Sequence, residues 1–262
     1  MAETGRLTAP AVPFVSPVTL VRVTIIAAVL VIWEAVAASG LLFRDVVPSL
    51  TVIAHALVEL LTDPSYYFNL GVTAGEIGTA MLIGGLAGLA VGILLGANPL
   101  LASAYEAYLY YLGPTPKIIF FPVMIMWFGV GPGSKIAMGV ISCFFPVALS
   151  AAAGMRGIDR VLIRVGRSFR LTTWQMVTKI YLPAMRLPII NGVRLGLGVA
   201  IIGTLLAETK LSNKGIGFLI INAYSTFNMP RMYALLIVLF VLSIGVNALV
   251  GRLGGVDTIR RA

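Results

Sequence analysis

The feature that most constrains this chain is a series of long apolar stretches, with nearly all charge confined to the short intervals between them. Leu20–Leu42, Gly71–Ala97, Ile136–Met155, Leu187–Leu206 and Tyr233–Val250 each come close to the roughly 20 residues that carry a helix across about 30 Å of hydrocarbon. The chain is 59% hydrophobic and only 11% charged, where a soluble domain is about one quarter charged. In lipid, no water is present to satisfy backbone N–H and C=O groups, so each stretch has to be a helix. A sixth, shorter segment lies between Gly113 and Lys135, bracketed by Pro114, Pro116, Pro122 and Pro132. The expected fold is therefore all-α: a polytopic membrane protein with about six transmembrane helices. Its 262 residues leave no room for a soluble catalytic domain of the usual size, about 100 residues. Residues 1–18, with Pro10, Pro13 and Pro17, are expected to be a flexible cytoplasmic tail, and 19–262 a single transmembrane domain. No small-residue cleavage signal follows Leu20–Leu42, so it reads as a retained first helix.

The formal net charge is +9. In a soluble protein that excess would suggest nucleic acid, but here the basic residues cluster in a few loops. Membrane topology explains them, with anionic lipid headgroups as a second attraction and no nucleic-acid partner. The densest cluster is Met155–Pro183, with Arg156, Arg160, Arg164, Arg167, Arg170 and Lys179 against the single acid Asp159. Placing it in the cytoplasm also puts Arg6, Lys117, Arg186, Arg252, Arg260 and Arg261 inside, and Arg44, Lys135, Lys210, Lys214 and Arg231 outside. The bias predicts that both termini are cytoplasmic.

Along the chain, Glu34 is an acid within the first span. It either serves function or reaches the interface to pair with a neighbour. Ser49 or Thr51 can cap a short helix with Ile53, Leu57, Leu60 and Leu61 on one face, too short to span. His55 is the only histidine and has no partner set for a metal, so no metal site is expected. Gly84, Gly88, Gly92 and Gly96 repeat every four residues, a stripe that lets two backbones approach. Glu76, near the start of that span, is expected at the interface. Ala102–Gly113, with four tyrosines and Glu106, reads as an interfacial helix. The proline-bracketed segment is expected at the heart of the bundle, where protein surrounds its freed carbonyls.

The chain contains no GxxxxGK[ST], HExxH or CxxC, and its lone Cys143 lies in an apolar run. An enzyme reading has nothing to rest on. Glu34, Glu76, Arg194 and Glu208 keep an ion-coupled secondary transporter open as the alternative. The lack of matched, broken segments in the two halves weakens it.

Within the basic interval, Asp159 can cap a helix through Val161, Leu162, Val165, Ser168 and Phe169. Arg170-Leu171-Thr172 then breaks it, and Thr172 caps a second helix running to Pro183. Such a hairpin either docks on another protein or lies among lipid headgroups.

From Arg164 to Ile180-Tyr181-Leu182-Pro183 this interval resembles the EAA loop of permease subunits in ABC importers. That motif has an acid, two alanines, a glycine at the seventh place and an Ile-x-Leu-Pro ending. Four further segments resemble the nitrate/sulfonate/taurine-type branch: VVPSLTVIAHALVELL, PTPKIIFFPVMIMWFGVGPGSKI, NGVRLGLGVAIIGTLLAE and NKGIGFLI. The resemblance runs over roughly residues 45–250, with a family-like core of about 70–252. It implies a type I ABC importer permease whose coupling helix seats in a cleft of a separate ATPase. Arg164, Val165, Gly166, Ser168, Phe169, Arg170, Leu171, Thr172, Ile180, Leu182 and Pro183 would form that element. It further implies a second copy of the chain, an ATPase dimer that binds ATP and Mg, and a periplasmic or lipid-anchored substrate-binding protein. This chain would itself hold no cofactor, and would sit in the bacterial inner membrane. Pro114, Pro116, Pro122, Asn191 and Glu208 are candidates for the pathway lining. Gly166 sits where the second alanine would be, and two departures matter more: Arg164 stands where the family has its acid, and Arg170 where it has the glycine at the helix break. The first inverts local charge; the second implies either a turn that avoids positive φ or backbone strain.

Overall fold

In a computed structural model of the protein, residues 17–40 and 46–253 are described, and all of their regular structure is helical. The expectations for most of the N-terminal tail, and for Arg6, Arg44, Arg260 and Arg261, lie outside the described residues. The chain divides into two compact units at His55/Ala56.

The first unit holds α1 (Pro17–Ser39) and the start of α2 (Leu50–Thr62). Pro17 and Val18, assigned from sequence to the tail, open α1. The ambiguity over Glu34 resolves as a pairing. Its carboxylate Oε2 accepts the Leu50 N–H at 2.9 Å, one of the orphan donors at the start of α2. Beside it, Trp33 Nε1 donates to the Pro48 carbonyl at 3.1 Å. Glu34 therefore supplies the cap that sequence reading assigned to Ser49 or Thr51.

The second unit holds the rest: α3 (Pro64–Ala97), α4 (Pro99–Leu112), α5 (Phe121–Phe128), α6 (Pro132–Arg156), α7 (Arg160–Ser168), α8 (Thr173–Met176), α9 (Leu182–Ala184), α10 (Arg186–Lys210), α11 (Ile216–Ser225) and α12 (Met229–Leu253). A 3₁₀ turn, Lys117–Phe120, precedes α5, and a π-helical turn, Val177–Tyr181, joins α8 to α9. Five described helices are long and apolar enough to cross a membrane: α1, α3, α6, α10 and α12. The pair Pro99–Leu112 and Lys117–Phe128, bent by 93°, makes a sixth if taken as one broken span.

The heart of the bundle is α3, α6 and α10. Along α3 the glycine stripe lies flat on α6. A Cβ at Gly88 would stand 2.7 Å from the Phe144 carbonyl oxygen, one at Gly92 2.5 Å from Ala151 Cβ, and one at Gly96 2.5 Å from Met155 Cβ. Residue numbers rise together along this contact, so α3 and α6 run parallel, and α4 with α5 forms the return between them. An adjoining face of α6 receives α10 antiparallel, through Gly192 against Ser150 and Gly196 against Val147, so that Val147 and Cys143 meet both α3 and α10. In turn α12 runs antiparallel to α10, tied by Arg194 Nε donating to Asn247 Oδ1 at 3.0 Å.

Two expectations are corrected here. The proline-bracketed segment does not sit at the centre of the chain's bundle. Phe121 and Met124 pack near Met138 of α6, while Ile119, Met126 and Trp127 are exposed. Eight helical residues present one face only, and the glycine-lined contacts of α3, α6 and α10 already fill the centre. Glu76 is not interfacial but buried, because α3 starts at Pro64 rather than at Gly71. Pro64 ends nothing here: behind the Asp63 N-cap it occupies the first helical turn, where a missing N–H costs little. Hydrogen bonds from Ser65, and then the Arg231 guanidinium at 2.6 Å, hold the Asp63 carboxyl below the ordinary aspartate range.

The stripe gives a paired test. Gly88→Val would drive side-chain carbon into α6 backbone and should destabilise the protein by about 1–3 kcal/mol. Gly85→Val, where a Cβ meets nothing within 4 Å in this chain, should leave the melting temperature nearly unchanged. Thermal unfolding of the two purified variants in detergent compares them directly.

Candidate functional site

The hairpin between α6 and α10 is built from a few local rules. After Gly157, the Asp159 carboxylate accepts the Val161 N–H at 2.7 Å and starts α7. At its far end the Leu171 N–H reaches back to the Gly166 carbonyl at 3.1 Å, and the Arg170 N–H bonds the Arg167 carbonyl at 2.9 Å. This closure places one residue in the left-handed region, normally a glycine. Here it is Arg170, at φ +51°. Of the two outcomes expected from sequence, the chain takes the strained one. Thr172 then opens α8 with a reciprocal cap: Gln175 N–H donates to its hydroxyl oxygen at 3.3 Å, and the Thr172 N–H donates to Gln175 Oε1 at 2.9 Å.

Gly166 allows the two arms to touch. A Cβ there would lie 2.5 Å from Met176 Sδ, and the position is buried. The base of the hairpin is anchored by Ile158 and Met185, both buried with Ala151 and Met155 of α6, and by Ile163 and Tyr181 packed against them. Arg156, at the end of α6, makes a bidentate pair with Glu106 of α4, both bonds 2.7 Å. Such two-pronged charged bonds fix orientation better than a single contact.

Most of what projects is apolar and unpacked. Val161, Leu162 and Val165 are exposed on α7, and Phe169 and Trp174 are each 74% exposed. Arg160, Arg164, Arg167 and Arg170 are also exposed. Of the sequence candidates, Arg164, Val165, Ser168, Phe169, Arg170 and Thr172 are brought together on the exposed corner. Leu171, Ile180 and Leu182 are half-buried, Pro183 is exposed further along, and Gly166 is internal. Trp174 was missed. Its signal was a large aromatic two residues after the capping Thr172, where a helix's first turn is solvent-facing.

The pathway candidates separate. Pro114, Pro116, Pro122 and Asn191 are exposed on the chain. Glu208 is fully buried, which removes it from a lining role. Its Oε1 accepts the Thr73 hydroxyl at 2.7 Å, and its Oε2 the Gly217 N–H at 2.6 Å. The Ile216 N–H donates to Thr73 Oγ1 at 2.8 Å, and the Gly215 N–H to Asn69 Oδ1 at 2.7 Å. Side chains of α3 and α10 thereby cap the N-terminus of α11. Gly215, at φ +101°, and Gly217 have no room for a Cβ because the Glu208 side chain fills that space. With Glu34, Arg194 and Glu208 all held in structural bonds, three of the four groups behind the ion-coupled alternative are accounted for.

Residues 84–254 match the family of binding-protein-dependent transport system inner membrane components. The chain belongs to that family. It is an ABC transporter permease, a membrane protein of transmembrane transport. The match begins within α3, at Gly84, and runs through α6, the hairpin and α10 to the end of α12. Among its relatives, a Bacillus subtilis (strain 168) permease whose name links it to aliphatic sulfonate transport is 29% identical over 212 residues, 81% of this chain and 77% of that one. The taurine transport system permease protein of Escherichia coli (strain K12) is 28% identical, covering 87% of this chain and 86% of its own. The nitrate import permease protein of Leptolyngbya laminosa is 25% identical, covering 72% and 68%.

Arg170→Gly should relieve the left-handed strain and stabilise the corner by about 1–2 kcal/mol. Slower hydrogen exchange of the Leu171 amide, which closes the corner, is the expected readout.

Proposed function

We propose that this chain is the transmembrane subunit of an ATP-driven importer for a small solute, a nitrate-, sulfonate- or taurine-like anion or a related small organic compound. The hairpin Val161–Leu182 receives force from a separate ATPase subunit. The observation that carries this reading is the exposed apolar corner, Phe169 and Trp174 above all, mounted on a doubly capped turn and anchored to the ends of α6 and α10. A soluble face that large and apolar, on a rigid support, fits a protein socket better than water.

In this reading the hairpin faces the cytoplasm, as the distribution of Arg and Lys favours. Two copies of the chain enclose the pathway, and a binding protein delivers solute from outside. ATP binds the partner ATPases, whose closure draws the two hairpins together. Because Ile158 and Met185 couple each hairpin to α6 and α10, that displacement tilts the helices and opens the pathway outward. Hydrolysis and release reverse it. The substrate class is supported by the names of three relatives that each cover most of this chain, and a formylaminopyrimidine transport permease among the relatives keeps a related small organic compound within the same reading.

The test is co-expression with the cognate ATPase and reconstitution with the binding protein. Phe169→Glu and Trp174→Glu should each lower recovery of the ATPase with the permease and cut ATP-dependent uptake at least tenfold, leaving the melting temperature of the isolated permease unchanged. Undiminished uptake in both variants would refute the docking role.

A further inference from the structure

Near the end of the bundle opposite the hairpin, the three central helices carry a layer of ionisable side chains that the transport reading does not use. Glu76 of α3, Lys135 of α6 and Glu208 of α10 are 5%, 2% and 0% exposed, and each interacts electrostatically with the other two. Two carboxylates and one ammonium leave the layer one positive charge short of neutrality. A buried, uncompensated charge is strongly unfavourable, so such layers draw in a counter-charge.

The hydrogen bonds locate the deficit. Both Glu208 oxygens accept donors, from Thr73 and Gly217, and the Glu76 carboxyl lies within hydrogen-bond reach of Glu208. Lys135 Nζ donates to the carbonyls of Val130 and Gly131. Glu76 Oε2 is buried and has no hydrogen-bond partner. One turn deeper, Thr204 Oγ1 is also buried and unpartnered. These two turns adjoin: a Cβ at Gly139, one turn from Lys135, would lie 2.6 Å from Ala80 Cβ and 2.7 Å from Thr204 Oγ1, and Ala80 is one turn from Glu76. The neighbouring hydrogen-bonding groups do not titrate: Asn69 and Thr73 on α3 itself, and the N–H groups that open α11.

We propose that Glu76 and Thr204 frame an occluded site for one monovalent cation, either a proton or a sodium ion, that neutralises this layer. A proton would reside on the Glu76 carboxyl, which would donate it in a hydrogen bond to the Glu208 carboxylate. Sodium would be held by Glu76 Oε2 and Thr204 Oγ1, with water completing its shell. An anion would deepen the deficit, and a divalent cation would overshoot it. The inference rests on bundle packing alone and is independent of what docks on the hairpin.

The full-length protein in detergent is unfolded thermally in sodium, potassium and choline chloride at equal ionic strength, and its infrared spectrum is taken at neutral pH in the region of protonated carboxyls. If sodium fills the site, it raises the melting temperature above choline, an effect lost in Glu76→Gln and reduced in Thr204→Val. If a proton fills it, the cations are equivalent, and a protonated-carboxyl band is present in the wild type and absent in Glu76→Gln. Wild type with neither a sodium effect nor such a band overturns the proposal without any variant. So does a sodium effect that survives Glu76→Gln, or a band that only Glu208→Gln removes.

Discussion

Everything in this bundle depends on how closely α3 and α6 approach. Between apolar helices in lipid there is no hydrophobic gain from association, because lipid tails are as apolar as leucine, so dispersion contacts and short backbone separations hold the pair. Gly84, Gly88, Gly92 and Gly96 bring the two backbones together over about three turns, and Gly192 and Gly196 allow a similar approach of α10 to α6. The parallel course of α3 and α6 has a topological consequence. The chain must return between them, and it does so through α4 and α5, bent by 93° and packed on one side only.

At the end away from the hairpin, polar groups take over from glycines. The same face of α3 that carries the stripe continues through Ala80, Glu76, Thr73 and Asn69, all buried. Thr73 and Asn69 bond the start of α11, and Glu208 completes the cap. A short helix with exposed donors at its first turn would be costly in an apolar setting, and here three side chains from two other helices satisfy it. One helix face thus does two jobs, close packing along one part and polar capping along another.

Much of this was legible in the residues. The spans, the packing role of the glycine stripe, and the Asp159 and Thr172 caps follow from periodicity and local chemistry, which need no knowledge of the partner helix. What escaped was non-local. Glu34 capping Leu50, and Glu208 meeting Gly217, depend on which helices become neighbours, and no spacing rule states that. Glu76 was misplaced because a span starting at Gly71 leaves it near the end of its helix, whereas Pro64 opens the helix about two turns earlier. A spacing signal was present: Asn69, Thr73, Glu76, Ala80 and Gly84 recur every three to four residues, the period of one buried face. The residues that face a pathway remained unread, since lining is a property of the assembled channel and not of one chain's pattern.

The π-helical turn at Val177–Tyr181 bears on the hairpin in another way. Such a turn is an α-helix carrying one surplus residue, and each residue of an α-helix rotates the chain by about 100°. The surplus therefore acts as a phase shifter between two rigid ends. On one side it sets where Trp174 points; on the other it sets how Tyr181 and Met185 seat against α6. Phase, and not length, is what the segment before Leu182-Pro183 controls. A length-neutral exchange of side chains there would preserve the alignment of corner and bundle, while loss of a single residue would swing Trp174 about a quarter-turn from its present direction.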